Sequence, residues 1–431
     1  MAFLKLKLHW QILIALALAV ILGSIVGEDG HLFGVTFYAI FDFIGQLFLN
    51  ALKMLIVPLI VSSIIVGVAS IGESDNLGRL GGKTIGYYAL TSFLAILVGL
   101  AVVNLIQPGV VEGTAEEVFG LSANADELEA QFADKGADDI VAIFLRMVPT
   151  NVIAAASSGQ MLGLIFFSIL YGFFMTRIAN QYAEAQYNFF NGMLQIMMKI
   201  TDLVMVFAPI GVFALVAKTV ASTGLEAFVP LAQFFFTVVL ALTIHIAVTL
   251  PLLLRFLGGV SPLRHYRAVS PALLTAFSTA SSSATLPLTM ECVEKNAGVS
   301  NKITSFVLPL GATVNMDGTA LYECVAVLFI AQAYGIELGL ATQFTIVLLA
   351  LMTSIGVAGI PAASLVAIAI ILSAVGLPLE GIGLILAVDR VLDMTRTAVN
   401  VAGDSAGAVI IAKSEGEVDI LEDDLPRRVT A

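Results

Sequence analysis

Apolar runs recur along the 431 residues with only short polar interruptions. They fall near 10–27, 36–70, 82–107, 140–181, 186–222 and 228–256, and again near 262–294, 299–334, 340–375 and 380–414. A helix needs roughly 20 apolar residues to cross a bilayer, so the pattern predicts a polytopic, all-α membrane protein. The ~10-residue alternating segments of an outer-membrane barrel are absent. The runs at 36–70 and 140–181 exceed one straight crossing, which requires tilt, kinks or broken segments there.

Polar positions interrupt the last third of the chain in a different way. SSSATLP at 281–287 breaks one apolar stretch and SIGVAGIP at 354–361 breaks another. Both look too broken for regular spanning helix. Irregular backbone at membrane depth is tolerated only when buried in protein or lining a wet cavity.

The final run carries a polar stripe. Asp389, Arg396, Thr397, Asn400 and Asp404 are offset by −4, +3, +4, +7 and +11 from Asp393. At about 100° per residue they share a face roughly 100° wide. A charge at mid-membrane costs on the order of 3 kcal/mol even on the lenient insertion scale, so this face must point into protein or a watered cavity. An Asp393–Arg396 bridge locking two helices would explain two of these residues and leave Asn400 and Asp404 without a purpose. A functional stripe explains all of them.

NMDGTALYE at 315–323 behaves differently. On a regular helix Asn315 and Asp317 would face directions about 200° apart, and Gly318 adds a helix-weak position. Local unwinding at Asn315-Met316-Asp317 resolves the conflict. Freed carbonyls and a carboxylate there could surround a small hard cation such as sodium, or the break could be a polar kink satisfied by neighbouring helices. Glu323 follows between Tyr322 and Cys324. Desolvation favours the protonated form of a carboxylate, so Glu323 is a candidate proton carrier, with a static hydrogen-bonded strut as the alternative.

Composition sharpens the class. The chain is 59% hydrophobic and 12% charged, with a mean hydropathy of +0.99; soluble domains are nearer half apolar and a quarter charged. The net charge of −12 sits largely in the 108–139 loop and the C-terminal tail, so it says little about nucleic-acid or acidic partners, and no nucleic-acid partner is expected. Lys5, Lys7, Arg79, Lys83, Arg255, Arg264, Arg267, Arg427 and Arg428 fall on one side if crossings alternate. The positive-inside rule makes that side cytoplasmic, with both termini, and puts the acidic 108–139 loop outside. The N-terminal run lacks a cleavage pattern and reads as a retained first span. The absence of an Asn-x-Ser/Thr sequon fits a bacterial inner membrane. Cys292 and Cys324 read as packing residues, and no histidine pair has metal-ligand spacing. A serine hydrolase would need a His or Lys base near 281–283; His245, alone well inside a span, has no nucleophile elbow beside it. An enzyme is not expected.

SSSATLP, NMDGTALYE, SIGVAGIP and DRVLDMTRTAVNVAGD (389–404), in this order, resemble the dicarboxylate/amino acid:cation symporter family, which includes excitatory glutamate transporters and archaeal aspartate transporters. The resemblance covers nearly the whole chain. It implies a homotrimer whose protomers have eight transmembrane helices, two re-entrant hairpins at about 262–294 and 340–375, and inverted repeats with the site between the halves. It also implies an elevator. Residues 1–81 and 140–222 would form the scaffold, and 82–107 with 228–414 the moving transport core. The acidic loop 108–139 would lie outside and 415–431 would be a cytoplasmic tail. The second hairpin, with Gly356, Gly359 and Pro361, would act as the gate.

Residue by residue, the resemblance assigns Arg396 to the substrate's side-chain carboxylate, which a planar guanidinium can bind bidentately, and Asp393 to its amino group. Thr319, Thr397, Asn400, Ser282, Ile360 and Ser364 would complete the substrate site. Asp404 with backbone oxygens of Gly311, Asn315 and Asn400 resembles one sodium site. Thr313 and Met316 with carbonyls of Ser354, Ile355 and Val357 resemble a second. Asp317 and Asn315 with Tyr88, Thr91 and Ser92 resemble a third. Glu323 matches a proton-linked glutamate.

Within this family, the pair Asp393 and Arg396 favours acidic amino acids over C4 dicarboxylates or neutral amino acids, and Asp404 favours sodium over protons alone. Where members often carry a second arginine, this chain has Ala280 and Met394, with Arg390 nearby but not equivalent; potassium counter-transport is left open. The sequence therefore points to sodium-coupled symport of L-aspartate or L-glutamate, with proton co-transport left open at Glu323. The alternatives are a proton-coupled glutamate or dicarboxylate carrier and, in another class, a gated anion channel.

Overall fold

The computed structural model describes residues 8–27, 30–32, 34–72, 77–111, 145, 148–158, 161–224, 228–354, 363–418 and 420–421. The expected external loop beyond residue 111, and Ile355, Val357, Gly356, Gly359, Ile360 and Pro361 of the expected gate, lie outside the described residues, as does the tail beyond 421.

The described chain is helical apart from a minimal hairpin, β1 (His31–Leu32) paired antiparallel with β2 (Val35–Thr36). The first apolar runs become α1 (Leu8–Val26), α2 (Phe37–Gly72) and α3 (Leu77–Ile106). The 36-residue α2 keeps Pro58 in its interior, and the Ser62 hydroxyl donates to the Pro58 carbonyl at 2.7 Å. Within the long 140–181 run the described helices are α4 (Val152–Ser157) and α5 (Met161–Met175). The Asn151 side chain caps α4, accepting from the amides of Ile153 and Ala154. Next come α6 (Asn180–Val206) and α7 (Ala208–Thr223), bent by 53° where Pro209 opens α7.

The run at 228–256 is α8 (Phe228–Ile244), a π-helical turn at His245–Thr249, and α9 (Leu250–Phe256). A π turn disturbs the regular ladder, and the Tyr266 hydroxyl donates to the carbonyl of Ile246 within it. The run at 262–294 is a helical pair, α10 (Pro262–Thr279) and α11 (Ser282–Glu291), the latter ending in a π turn at Cys292–Asn296. Asn296 reaches back to donate to the carbonyl of Ala268 at 2.9 Å, so the two helices run antiparallel. The remainder is α12 (Asn301–Val314), α13 (Asp317–Ala333), α14 (Leu340–Ser354), α15 (Ala363–Val375) and α16 (Ile382–Ser414).

The break at SSSATLP is narrower than the sequence suggests. Only Ala280, at φ 50° and ψ 39°, and Ser281 leave the helix. The Ser281 hydroxyl accepts from the amide of Ala284 and caps α11, so Ser282 and everything after it is helical, Pro287 included. One good N-cap is enough to restart a helix there.

The helices pack in two groups. α1 and α2 pack on α7, and α2 also on α5 and α6. In the other group α13 packs on α3, α14 and α16, while α10 and α12 pack on α16. Nearly every residue of α13 is buried, so this helix is the centre of its group. Arg79–Ile106, Phe228–Phe256 and Asn301–Ala333 are each long and apolar enough to cross a bilayer; Asn180–Val204 with Ala208–Ser222 makes a bent fourth candidate among the described residues. Exposed Phe189, Ile196 and Leu203 recur every seven residues along α6, an apolar stripe suited to lipid or a neighbouring helix.

Candidate functional site

The helix breaks between α12 and α13, as the angular conflict between Asn315 and Asp317 requires. Asn315 (φ −99°, ψ 92°) and Met316 (φ −117°, ψ 59°) are non-helical, and the new helix starts at Asp317 itself. The unwound stretch is thus two residues, one fewer than expected. A helix leaves its last carbonyls and first amides without partners and carries partial charges of matching sign at its ends. The end of α12 therefore offers negative potential and the start of α13 positive potential at the same depth. Asn400 of α16 answers the latter: its Oδ1 accepts from the amides of Gly318 (2.8 Å) and Thr319 (3.4 Å), and its Nδ2 donates to Thr319 Oγ1 at 3.1 Å.

Gly318 has a reason beyond flexibility. A Cβ there would lie 2.6 Å from the carbonyl oxygen of Arg396, so glycine lets α13 and α16 approach backbone to backbone. Gly311 instead makes room on α12 for two side chains. Its Cβ would meet Asp404 Oδ1 at 2.5 Å and the Tyr88 hydroxyl at 2.6 Å.

Around the break lies a first polar cluster. Asn315 Nδ2 donates to Asp404 Oδ1 at 3.0 Å. Thr91 Oγ1 donates to Asn315 Oδ1 at 3.2 Å, and Ser92 Oγ to Asp317 Oδ1 at 2.9 Å. Asp317 Oδ2 lies 3.3 Å from His245 Nε2, and all four of Asn315, Asp317, His245 and Asp404 are buried. Among the described residues, the ion pairs put no Lys or Arg on Asp317 or Asp404.

A second cluster sits on the α16 stripe. Arg396, 2% exposed, donates through Nη1 to Asp389 Oδ1 and through Nη2 to Asp393 Oδ1, both at 3.0 Å. Its guanidinium carbon stands 4.3 Å from the centre of the Tyr322 ring, a cation–π geometry. Arg390 Nη1 donates to Asp393 Oδ2 at 3.1 Å. Two guanidiniums thus balance two carboxylates.

The structure does not unite every expected residue. Thr397 is buried but its hydroxyl turns back to the Asp393 carbonyl at 2.7 Å. Ser282 and Ser364 are buried on α11 and α15, and Ser364 Oγ has no hydrogen-bond partner among the described residues. The Tyr88 hydroxyl donates to the Val307 carbonyl at 2.7 Å, and not to Asn315 or Asp317. Of the second sodium set, Met316 and Ser354 are buried, with Ser354 Oγ on the Leu351 carbonyl. Thr313 bonds the Leu310 carbonyl at 2.9 Å and lines a separate cavity of about 360 Å³ with Ser63, Tyr187 and Ser305. Glu323 is fully buried; the Thr353 hydroxyl donates to its Oε2 at 2.8 Å, while Oε1 has no hydrogen-bond partner among the described residues.

Asp389, Tyr322 and His245 join these clusters without having been named as site residues. Asp389 lay on the polar stripe, and His245 was the histidine well inside a span. Tyr322 adjoined Glu323 with nothing in its spacing to mark it.

The family model described as sodium:dicarboxylate symporter family matches residues 8–414. The proton/sodium-glutamate symport protein of Geobacillus stearothermophilus is 39% identical over 415 residues, covering 96% of each chain. The proton/glutamate-aspartate symporter of Escherichia coli (strain K12) is 37% identical, covering 96% of this chain and 94% of its own. Human excitatory amino acid transporter 3 is 36% identical, covering 95% and 86%. This multi-pass membrane chain belongs to the sodium:dicarboxylate symporter family.

Proposed function

We propose that the protein is a sodium-coupled symporter of acidic amino acids, L-aspartate or L-glutamate. The observation that carries this reading is the pairing of two unlike clusters across one helix break. Asp317 and Asp404 are buried carboxylates without Lys or Arg partners among the described residues, and isolated buried charge is strongly unfavourable. Sodium ions, ligated by carboxylates, Asn315, Thr91, Ser92 and the carbonyls that end α12, would supply the missing charge. Arg396 and Asp393 would take the carboxylate and ammonium of the substrate, with Thr319, Thr397, Asn400, Ser282, Ile360 and Ser364 around it. Relatives named for glutamate, aspartate, sodium and protons support the same reading.

Sodium and substrate share a backbone in this arrangement. Asn315 and Asp317 flank the break, and Thr319 is bonded to Asn400 of the substrate stripe. Ordering the break by one ligand therefore preorganises the site for the other, and such coupling is reciprocal.

The two packing groups support the proposed division into a scaffold (1–81 and 140–222) and a transport core (82–107 and 228–414), working as an elevator within a homotrimer. The antiparallel pair α10–α11 would be the first re-entrant hairpin, and α14–α15 the second hairpin and gate. The Lys and Arg distribution supports cytoplasmic termini, and the absence of an Asn-x-Ser/Thr sequon fits a bacterial inner membrane. Proton co-transport is favoured by one observation: Glu323, buried beside the site, leaves Oε1 unbonded.

Uptake of radiolabelled L-aspartate into proteoliposomes, under separately imposed sodium, proton and potassium gradients, tests the proposal. Accumulation driven by an inward sodium gradient is expected. Saturation-free passive flux would indicate the channel alternative, and accumulation driven by a proton gradient alone would indicate the proton-coupled carrier.

A further inference from the structure

The charge on Asp393 is satisfied twice over before any substrate is considered. Arg396 occupies Oδ1 at 3.0 Å, and Arg390, one turn earlier on α16, occupies Oδ2 at 3.1 Å. The two arginines are held very differently. Arg396 has two carboxylates and the Tyr322 ring, and is 2% exposed. Among the described residues Arg390 has Asp393 alone as an ion-pair partner and its buried Nε has no hydrogen-bond partner, and its side chain keeps 16% exposure. A loosely held cation on a carboxylate assigned to a ligand's ammonium is a competitor for that ammonium.

We infer that Arg390 is a specificity-determining residue: it holds Asp393 in the absence of an amino group and yields Oδ2 to the ammonium of an amino-acid substrate. The inference rests on the reading that Asp393 receives the amino group. Its consequence concerns ligands that lack one. A diacid such as succinate could engage Arg396 yet would offer Asp393 nothing, and a buried carboxylate stripped of a hydrogen-bonded cationic partner is heavily penalised. With Arg390 in place, Asp393 stays paired. Arg390 therefore weakens the discrimination between L-aspartate and its deaminated analogue, by helping the analogue and opposing the amino acid.

The test is sodium-dependent binding of L-aspartate and succinate to the purified full-length carrier, read as the ratio of the two dissociation constants. That ratio is insensitive to the amount of folded protein. Arg390→Gln is expected to raise the succinate-to-aspartate ratio about tenfold or more, through weaker succinate binding and aspartate binding that is no weaker. Arg390→Lys, which keeps a cation on the same face, is expected to stay within about threefold of the unaltered ratio. An unchanged ratio in Arg390→Gln overturns the inference.

A second comparison holds should Arg390→Gln not be recovered folded. In Asp393→Asn there is no carboxylate for Arg390 to hold, so the succinate-to-aspartate ratio of Asp393→Asn/Arg390→Gln is expected to stay within about threefold of that of Asp393→Asn; a rise of about tenfold or more on removing Arg390 there would overturn the inference. Failure of the parent reading looks different: aspartate binding would then be unaffected by Asp393→Asn, whatever Arg390→Gln does.

Discussion

The two buried polar clusters built on α13 and α16 differ in charge balance. On α16, Arg390 and Arg396 neutralise Asp389 and Asp393, and every one of the four is paired. Around the α12–α13 break, Asp317 and Asp404 have hydrogen bonds from Ser92 and Asn315 and one histidine within reach, with no Lys or Arg on them among the described residues. A balanced cluster can exchange partners with a ligand carrying both signs of charge. A cluster with excess negative charge calls for cations. The difference teaches why one helix break can serve substrate and ion together: each cluster wants what the other does not.

Removing Arg396 should break that contrast most severely. Arg396→Ala leaves Asp389 and Asp393 without their shared cation, and L-aspartate uptake is expected to fall about 100-fold or more. Sodium-induced thermal stabilisation of the purified variant should persist, because the break is untouched. The converse change, Asp404→Asn, should raise the sodium concentration for half-maximal uptake about tenfold or more while leaving the preference for acidic over neutral amino acids intact. Loss of that preference would merge the two clusters into one. Gly311→Ala pushes a methyl group against Asp404 Oδ1 and should reproduce the sodium defect of Asp404→Asn with the carboxylate still present.

Glu323→Gln sharpens the comparison from the side, since Glu323 belongs to neither cluster. Sodium-driven uptake should survive within about threefold, while the proton movement accompanying uptake, read by a dye in the vesicle lumen, should disappear. Persistence of proton movement would make Glu323 a strut.

The smallest effect lies outside the membrane. Hydrogen bonds from Lys83 and then Arg79 hold the Glu415 carboxyl below the usual carboxylate range. Its stabilising contribution is therefore present at neutral pH and is lost as pH falls below the ordinary carboxylate range and through the depressed value. Glu415→Gln should lower the melting temperature slightly at pH 7, with the difference from the unaltered protein shrinking in acid and in high salt. Transport should not change.

The sequence made some of this architecture legible and hid the rest for identifiable reasons. The break at Asn315 was readable because two polar residues spaced two apart cannot share a helix face. The α16 stripe was readable because its offsets fit one face. Asp389 was visible on that stripe, but its role as the second carboxylate on Arg396 depends on rotamers that spacing does not specify. His245 meets Asp317 from 72 positions away, through a π turn that no local pattern announces. SSSATLP looked irregular because serine and proline are weak helix formers, yet a cap at Ser281 and burial of Ser282, Thr285 and Thr289 outweigh propensity. The roles proposed for Arg396 and Asp404 rest on resemblance, since a stripe alone does not say which ligand each charge awaits.

Coupling between the two clusters is tested most directly by the dissociation constant of L-aspartate for the purified carrier, measured across a sodium titration at constant ionic strength. That constant is expected to fall steeply as sodium rises, by about tenfold or more over each decade below saturation if at least one sodium binds with the substrate. In Asp404→Asn the fall should shift to higher sodium. An aspartate affinity that does not change with sodium would contradict the coupling.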